Sequence, residues 1–201
     1  MTRLSKTPAK HALRRIATLA VAAGFAVAAA VPALAGPNLL VNGGFEAGDF
    51  TGWTGTGNTS FDGVQCPGPG PTVFEGNCSA FFGPVGTTGG ISQAVQNLTV
   101  GAPVLISFAF LPDGGNPSSF SASFGGVSLV SLTNPAAGPY QSFSFGTRAT
   151  ATSETLAFSF RDDPGFLFLD AASVRVPEPG TMALLGIGLA GLWAGRRRKA
   201  Q

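Results

Sequence analysis

The chain has 201 residues, 44% hydrophobic and only 11% charged, with a formal net charge of +2. That total hides two basic ends: Arg3, Lys6, Lys10, Arg14 and Arg15 lead and Arg196, Arg197, Arg198 and Lys199 close, so residues 36–176 hold only Arg148, Arg161 and Arg175 as bases. Nine carboxylates (Glu46, Asp49, Asp62, Glu75, Asp113, Glu154, Asp162, Asp163 and Asp170) oppose these three arginines, a net charge of −6 that leaves nothing to neutralise phosphates and excludes nucleic acid as a partner.

Residues 1–35 read as a secretory signal peptide: a positive stretch ending at Arg14 and Arg15, an apolar run from 16 to 31, then Ala33 and Ala35 as the small residues of a cleavage site before Gly36. The Pro32 break sets this apart from a retained anchor. Ile16 and Ala17 after the arginine pair suit the Sec translocon better than twin-arginine export.

Residues 36–176 are predicted to form one all-β domain, a β-sandwich of the jelly-roll kind. Helical periodicity is missing, and period-two runs recur at 104–110, 119–124, 141–145, 156–160, 166–170 and 172–176, several alternating Phe with Ser. Alternation places phenylalanine on one face and serine on the other, as two packed sheets require. Turn residues at 112–115, 124–126, Asn134-Pro135 and 163–165 separate the runs. Cys66 and Cys78 are the only cysteines, and an even pair in an exported chain predicts a disulfide, worth about 3 kcal/mol for so short a loop.

The opening of this stretch, with Asn38, Asn42, Gly43, Gly44, Phe45, Glu46, Gly48, Asp49, Gly52 and Trp53, resembles the first strand and loop of carbohydrate-binding-module-like, galactose-binding-like jelly rolls. Its closing run Phe168-Leu169-Asp170-Ala171-Ala172-Ser173-Val174 resembles their last strand. In those folds the early Glu and late Asp often help hold a structural calcium, so the resemblance implies Glu46 and Asp170 as ligands; a second aspartate of the pattern is Ala171 here. A hydrogen-bonded carboxylate pair tying first strand to last is the alternative. Trp53 reads as core or as a sugar-stacking platform, and Tyr140 is the second aromatic nominated for ligand contact.

Residues 177–201 have three parts in order: Pro177-Glu178-Pro179, an apolar glycine-rich stretch and the terminal basic cluster. A helix over 181–195 would span about 22 Å, a thin transmembrane helix against a hydrocarbon core of roughly 30 Å, with its basic end held inside the cell. The order resembles the PEP-CTERM sorting signal of Gram-negative bacteria. The resemblance implies processing near Pro177, Glu178 and Pro179 by an exosortase, an integral-membrane cysteine transpeptidase. The precursor would sit in the inner membrane facing the periplasm, and the product would go to the cell surface or medium. Gly186, Gly188 and Gly191 fit a dinucleotide-binding spacing, but they follow no strand and lie in an apolar span, so no nucleotide site is inferred.

The sole histidine, His11, falls in the signal peptide, and 36–176 contain no lysine. Histidine-, cysteine- and lysine-based catalysis therefore drop out, leaving only carboxylate-pair chemistry as in glycosidases. Asp49, Asp62, Asp113, Asp162 and Asp163 stand beside turn residues and read as turn or cap carboxylates. The expected function is that of an exported envelope or matrix protein associated with exopolysaccharide, structural or adhesive rather than catalytic. A specific carbohydrate-binding module is the alternative, and a glycosidase the remote one.

Overall fold

The computed structural model describes residues 36–177. The signal segment with Ala33 and Ala35, and the sorting segment apart from Pro177, lie outside the described residues. Among those described, every regular element is a strand: β1 (Thr54–Gly57), β2 (Gly63–Gln65), β3 (Ser79–Phe82), β4 (Gly89–Val95), β5 (Pro103–Leu111), β6 (Ser118–Phe124), β7 (Val127–Thr133), β8 (Gln141–Arg148), β9 (Glu154–Asp162) and β10 (Leu167–Arg175). They form two five-stranded sheets, ordered β1-β4-β9-β6-β7 and β2-β3-β10-β5-β8, in which all neighbours are antiparallel. The chain is an all-β sandwich.

Alternation in the sequence becomes two faces. In β6, Phe120, Ala122 and Phe124 are buried while Ser119, Ser121 and Ser123 look outward; in β9, Leu156, Phe158 and Phe160 do the same job. The two inner faces meet ring on ring. Phe82 of β3 stacks on Phe160 of β9 with centroids 3.8 Å apart, and Phe110 of β5 stacks on Phe120 of β6 at 4.0 Å. Phe108 meets Phe158 edge to face at 5.0 Å. Each buried phenylalanine contributes about 1.5–3 kcal/mol, and aromatic pairing adds to that.

The two runs at 166–170 and 172–176 are one strand, β10, with a bulge: its register on β5 shifts between Asp170 and Ser173, and Ala171 has a positive φ of 53°. The Gly125-Gly126 turn between β6 and β7 carries positive φ at both positions, as a tight hairpin demands. The expected first strand is corrected: residues 36–43 belong to neither sheet ladder. They run beside β10 through single bonds, Leu39 N–H to the Val174 carbonyl at 2.8 Å and Ala172 N–H to the Gly43 carbonyl at 2.9 Å. The Asn38 side chain bridges the same strand, accepting from Val174 N–H and donating to the Ala172 carbonyl. Buried Gln93 of β4 pairs with both backbone groups of Val41. The opening segment is thus tied to both sheets.

Because Phe120 lies between the sheets, Phe120→Ala is expected to lower the unfolding free energy by about 3–5 kcal/mol. The exposed-strand change Val127→Ala should cost less than about 0.5 kcal/mol. Urea unfolding at unchanged slope measures both.

Candidate functional site

Cys66 and Cys78 are disulfide-bonded, closing the loop between β2 and β3. Several side chains far away in sequence hold that loop by its backbone. Asp170 Oδ2 accepts the N–H groups of Phe74 and Glu75 at 2.8 and 3.1 Å, while its Oδ1 accepts Ala171 N–H at 2.6 Å. Glu46 Oε1 accepts the N–H groups of Asn77 and Cys78 at 2.9 and 3.0 Å. Gly76 between them has φ +70°, and a Cβ there would run into the Glu46 carboxylate, so only glycine lets the loop close onto it. Tyr140 donates its hydroxyl to the Thr72 carbonyl at 2.9 Å, and Ser79 donates to the same oxygen at 2.6 Å.

Glu46 and Asp170, expected as calcium ligands, are brought together beside Gly44: a Cβ there would lie 3.9 Å from Glu46 Cγ and 4.0 Å from Asp170 Oδ1. The buried member accepts three backbone N–H groups on its two oxygens. Among the described residues no group of three or more His, Cys, Asp or Glu is arranged to hold a metal ion. The pair grips the disulfide loop. Burial outweighs the amide donors and holds the Asp170 carboxyl above the usual aspartate value.

Trp53 is not a sugar platform. It is 8% exposed, with Phe45 stacked on it at 5.8 Å and Phe158 tilted against it at 5.9 Å, and its indole N–H is spent on the Asn42 carbonyl at 3.1 Å. Tyr140 is half-buried with its hydroxyl committed to the loop, and burial, reinforced by the Asp170 charge, pushes its pKa well up. Its ring lies 5.5 Å from that of Phe74, which is 46% exposed.

The loop so held forms one wall of a cavity of about 390 Å³ on the outer face of β10, β5 and β8. Phe74 and Glu75 rise on one side and Arg175 lines it too. Ser107, Ser142 and Ser173 lie on the outward register of their strands and leave the groove open, with the Ser107 and Ser173 hydroxyls bonded at 2.8 Å. Phe74 and the serine floor were not nominated from sequence. An aromatic in a polar loop between two cysteines was the one signal pointing to Phe74.

With this geometry in view, the likenesses to known proteins can be placed. Residues 175–199 match the family model described as the PEP-CTERM protein-sorting motif. The chain carries a PEP-CTERM sorting signal. No curated protein matches the chain. Among solved structures, the chain is similar to TmCBM61 in complex with β-1,4-galactotriose, at 20% identity and TM-score 0.56, over 69% of this chain and 97% of that one. It is similar to the enzymatically active domain of tailspike protein 4 of bacteriophage CBA120, at 14% identity and TM-score 0.54, over 69% of this chain but 21% of that one. A third is the C-terminal family 22 carbohydrate-binding module of Clostridium thermocellum Xyn10B, at 17% identity and TM-score 0.50, over 67% and 92% of the two chains. These likenesses place the fold with carbohydrate-binding-module jelly rolls.

Not all the turn carboxylates are turn carboxylates. Asp49 accepts Thr51 N–H two residues on, as a turn asks, whereas Asp163 accepts Gly86 N–H from a distant loop and pairs with Arg161. Asp162 is instead fully buried and Asp62 half-buried, and neither has a hydrogen-bond partner for its carboxylate oxygens. Burial raises Asp62 to about 6. Burial, with Asp113 facing it, raises Asp162 to about 7. A carboxyl whose folded-state pKa is raised binds its proton more tightly folded than unfolded, so its stabilisation is full below the unfolded value and is lost as pH rises through the folded one. In the presence of EDTA, the urea midpoint is therefore expected to fall as pH rises from about 4 to about 7. Asp62→Asn should lessen the fall up to about pH 6, and Asp162→Asn should lessen it up to about pH 7.

Proposed function

We propose that this protein is an exported, non-catalytic polysaccharide-associated protein of the cell envelope or extracellular matrix. On this reading the Sec translocon exports it, the signal segment 1–35 is removed, and an exosortase processes it near Pro177, Glu178 and Pro179. The sorting motif at 175–199 supports the destination. The observation that carries the binding half of the proposal is the groove beside Phe74: an exposed aromatic wall, a floor of serine hydroxyls and a charged side chain at the edge. Sugars present apolar C–H faces and rings of hydroxyls, so a flat apolar surface next to short polar groups suits them. The clamp of Glu46, Asp170 and Tyr140 serves as the support that holds Phe74 in place, so their contribution is positional. A specific carbohydrate-binding module is the sharper form of the same reading, favoured by the groove's definition on three strands and one pinned loop.

Two measurements test the halves separately. Mass spectrometry of the surface-exported protein should find residues 196–199 gone, and Glu178→Ala should leave them attached; an intact tail on exported wild type overturns the sorting half. Pull-down and titration against β-linked galactans, xylans and the producing cell's own exopolysaccharide should find saturable binding. Phe74→Ala and the groove-filling Ser142→Trp should each weaken it about tenfold or more, which is ~1.4 kcal/mol, with the melting temperature little changed. Binding to none of these polymers, or binding indifferent to both substitutions, overturns the groove.

A further inference from the structure

The register of β9 has a consequence at its end. Residues 154, 156, 158, 160 and 162 share the inward face, so the phase that buries Leu156, Phe158 and Phe160 also carries Asp162 into the interior at the end of the sandwich. Asp162 is 0% exposed, and neither of its carboxylate oxygens has a hydrogen-bond partner. Opposite stands Asp113, from the loop between β5 and β6. Its Oδ1 accepts Gly115 N–H at 2.8 Å and its Oδ2 accepts Phe166 N–H at 3.0 Å, leaving further lone pairs on both oxygens. Two glycines allow this approach. A Cβ on Gly115 would overlap Asp162 Oδ1 and lie 3.2 Å from Asp113 Oδ1, and one on Gly165 would overlap Asp113 Oδ2 and lie 2.8 Å from Asp162 Oδ2. The four oxygens therefore sit between the same two glycine backbones.

Among the described residues no cation faces them. The neighbouring Arg161 extends from the other face of β9 and spends Nε and one terminal nitrogen on Asp163 Oδ2 at 2.9 and 2.6 Å. Residues 36–177 contain neither lysine nor histidine. An unpaired buried carboxylate costs several kcal/mol, and two facing each other cost more. Something from outside the chain has to neutralise them, and a proton or a metal ion are the two candidates small enough.

We propose that Asp113 and Asp162 form a binding site for a hard divalent cation of the calcium type, held between the β5–β6 and β9–β10 connections. Carboxylate oxygens are what such an ion takes, with water and backbone carbonyls completing its shell. Asp113 is exposed, which gives the ion a way in, while Asp162 closes the inner side. The site is separate from Glu46 and Asp170, and it stands whether or not the groove binds sugar.

The test is calorimetric titration of calcium chloride into the chelator-stripped full chain. The expected result is a single site per chain. Its affinity should drop at least tenfold in Asp162→Asn and in Asp113→Asn and stay unchanged in Glu46→Gln. Asp113 is in an exposed loop, so its variant keeps the test readable if the Asp162 variant fails to fold. The proposal is overturned if calcium, magnesium and manganese all fail to bind at millimolar concentration. Binding abolished by Glu46→Gln and not by Asp113→Asn overturns it too.

Discussion

Face-to-face phenylalanine packing between the sheets governs the rest of the molecule. Phe82 on Phe160 and Phe110 on Phe120 set the separation and the registry of the two layers at once, because stacked rings at 3.8 and 4.0 Å tolerate little sliding. Every other feature inherits that constraint. With β9 locked in phase by Phe158 and Phe160, the carboxylates at its two ends, Glu154 and Asp162, have no choice but to point inward. At one end Glu154 is met by the Thr150 backbone N–H and is partly satisfied. At the other, Asp162 meets only a second carboxylate. The hydrophobic core thereby creates the electrostatic problem at its own edge.

The outer face of the second sheet follows from the same alternation. The residues between the phenylalanines, Ala109 in β5 and Ser144 in β8, are small, so the sheet presents a shallow floor there. Relief comes from a loop. The disulfide-closed segment between β2 and β3 has little apolar burial and owes its position to side chains outside it: Glu46 of the opening segment and Asp170 of β10 accept its N–H groups, and the Tyr140 and Ser79 hydroxyls donate to its Thr72 carbonyl. A flexible composition is made definite by hydrogen bonds arriving from three directions.

Legibility in the sequence tracks this division. The strands that alternate Phe with Ser, β5, β6, β8, β9 and the two halves of β10, stand out because their period is unambiguous. β4 does not, since Gly89 and Gly90 open it and buried Gln93 occupies an inward position. β7 hides for another reason: it is an edge strand whose core-facing Leu129, Val130 and Leu132 break strict alternation and are only partly buried. The short strands β1, β2 and β3 are submerged in glycine and proline. At the site, Glu46 and Asp170 were legible as a pair from the motifs at both ends of the domain and Tyr140 only as an aromatic, but their task was not, because hydrogen bonds to a loop's backbone leave no mark on residue identity. Asp162 was readable by parity alone; reading it by its neighbours Asp163 and Pro164 suggested a turn.

The crosslink between Cys66 and Cys78 gives the groove a history. A reducing cytoplasm keeps thiols apart, so before export the segment bearing Phe74 is an open chain whose ordering cost is unrelieved. Oxidation on the far side of the membrane shortens that chain, and only then do the borrowed acceptors find their amides at little entropic expense. The wall of the groove is in this sense completed by its surroundings: it closes on oxidation and stays open where thiols are kept reduced.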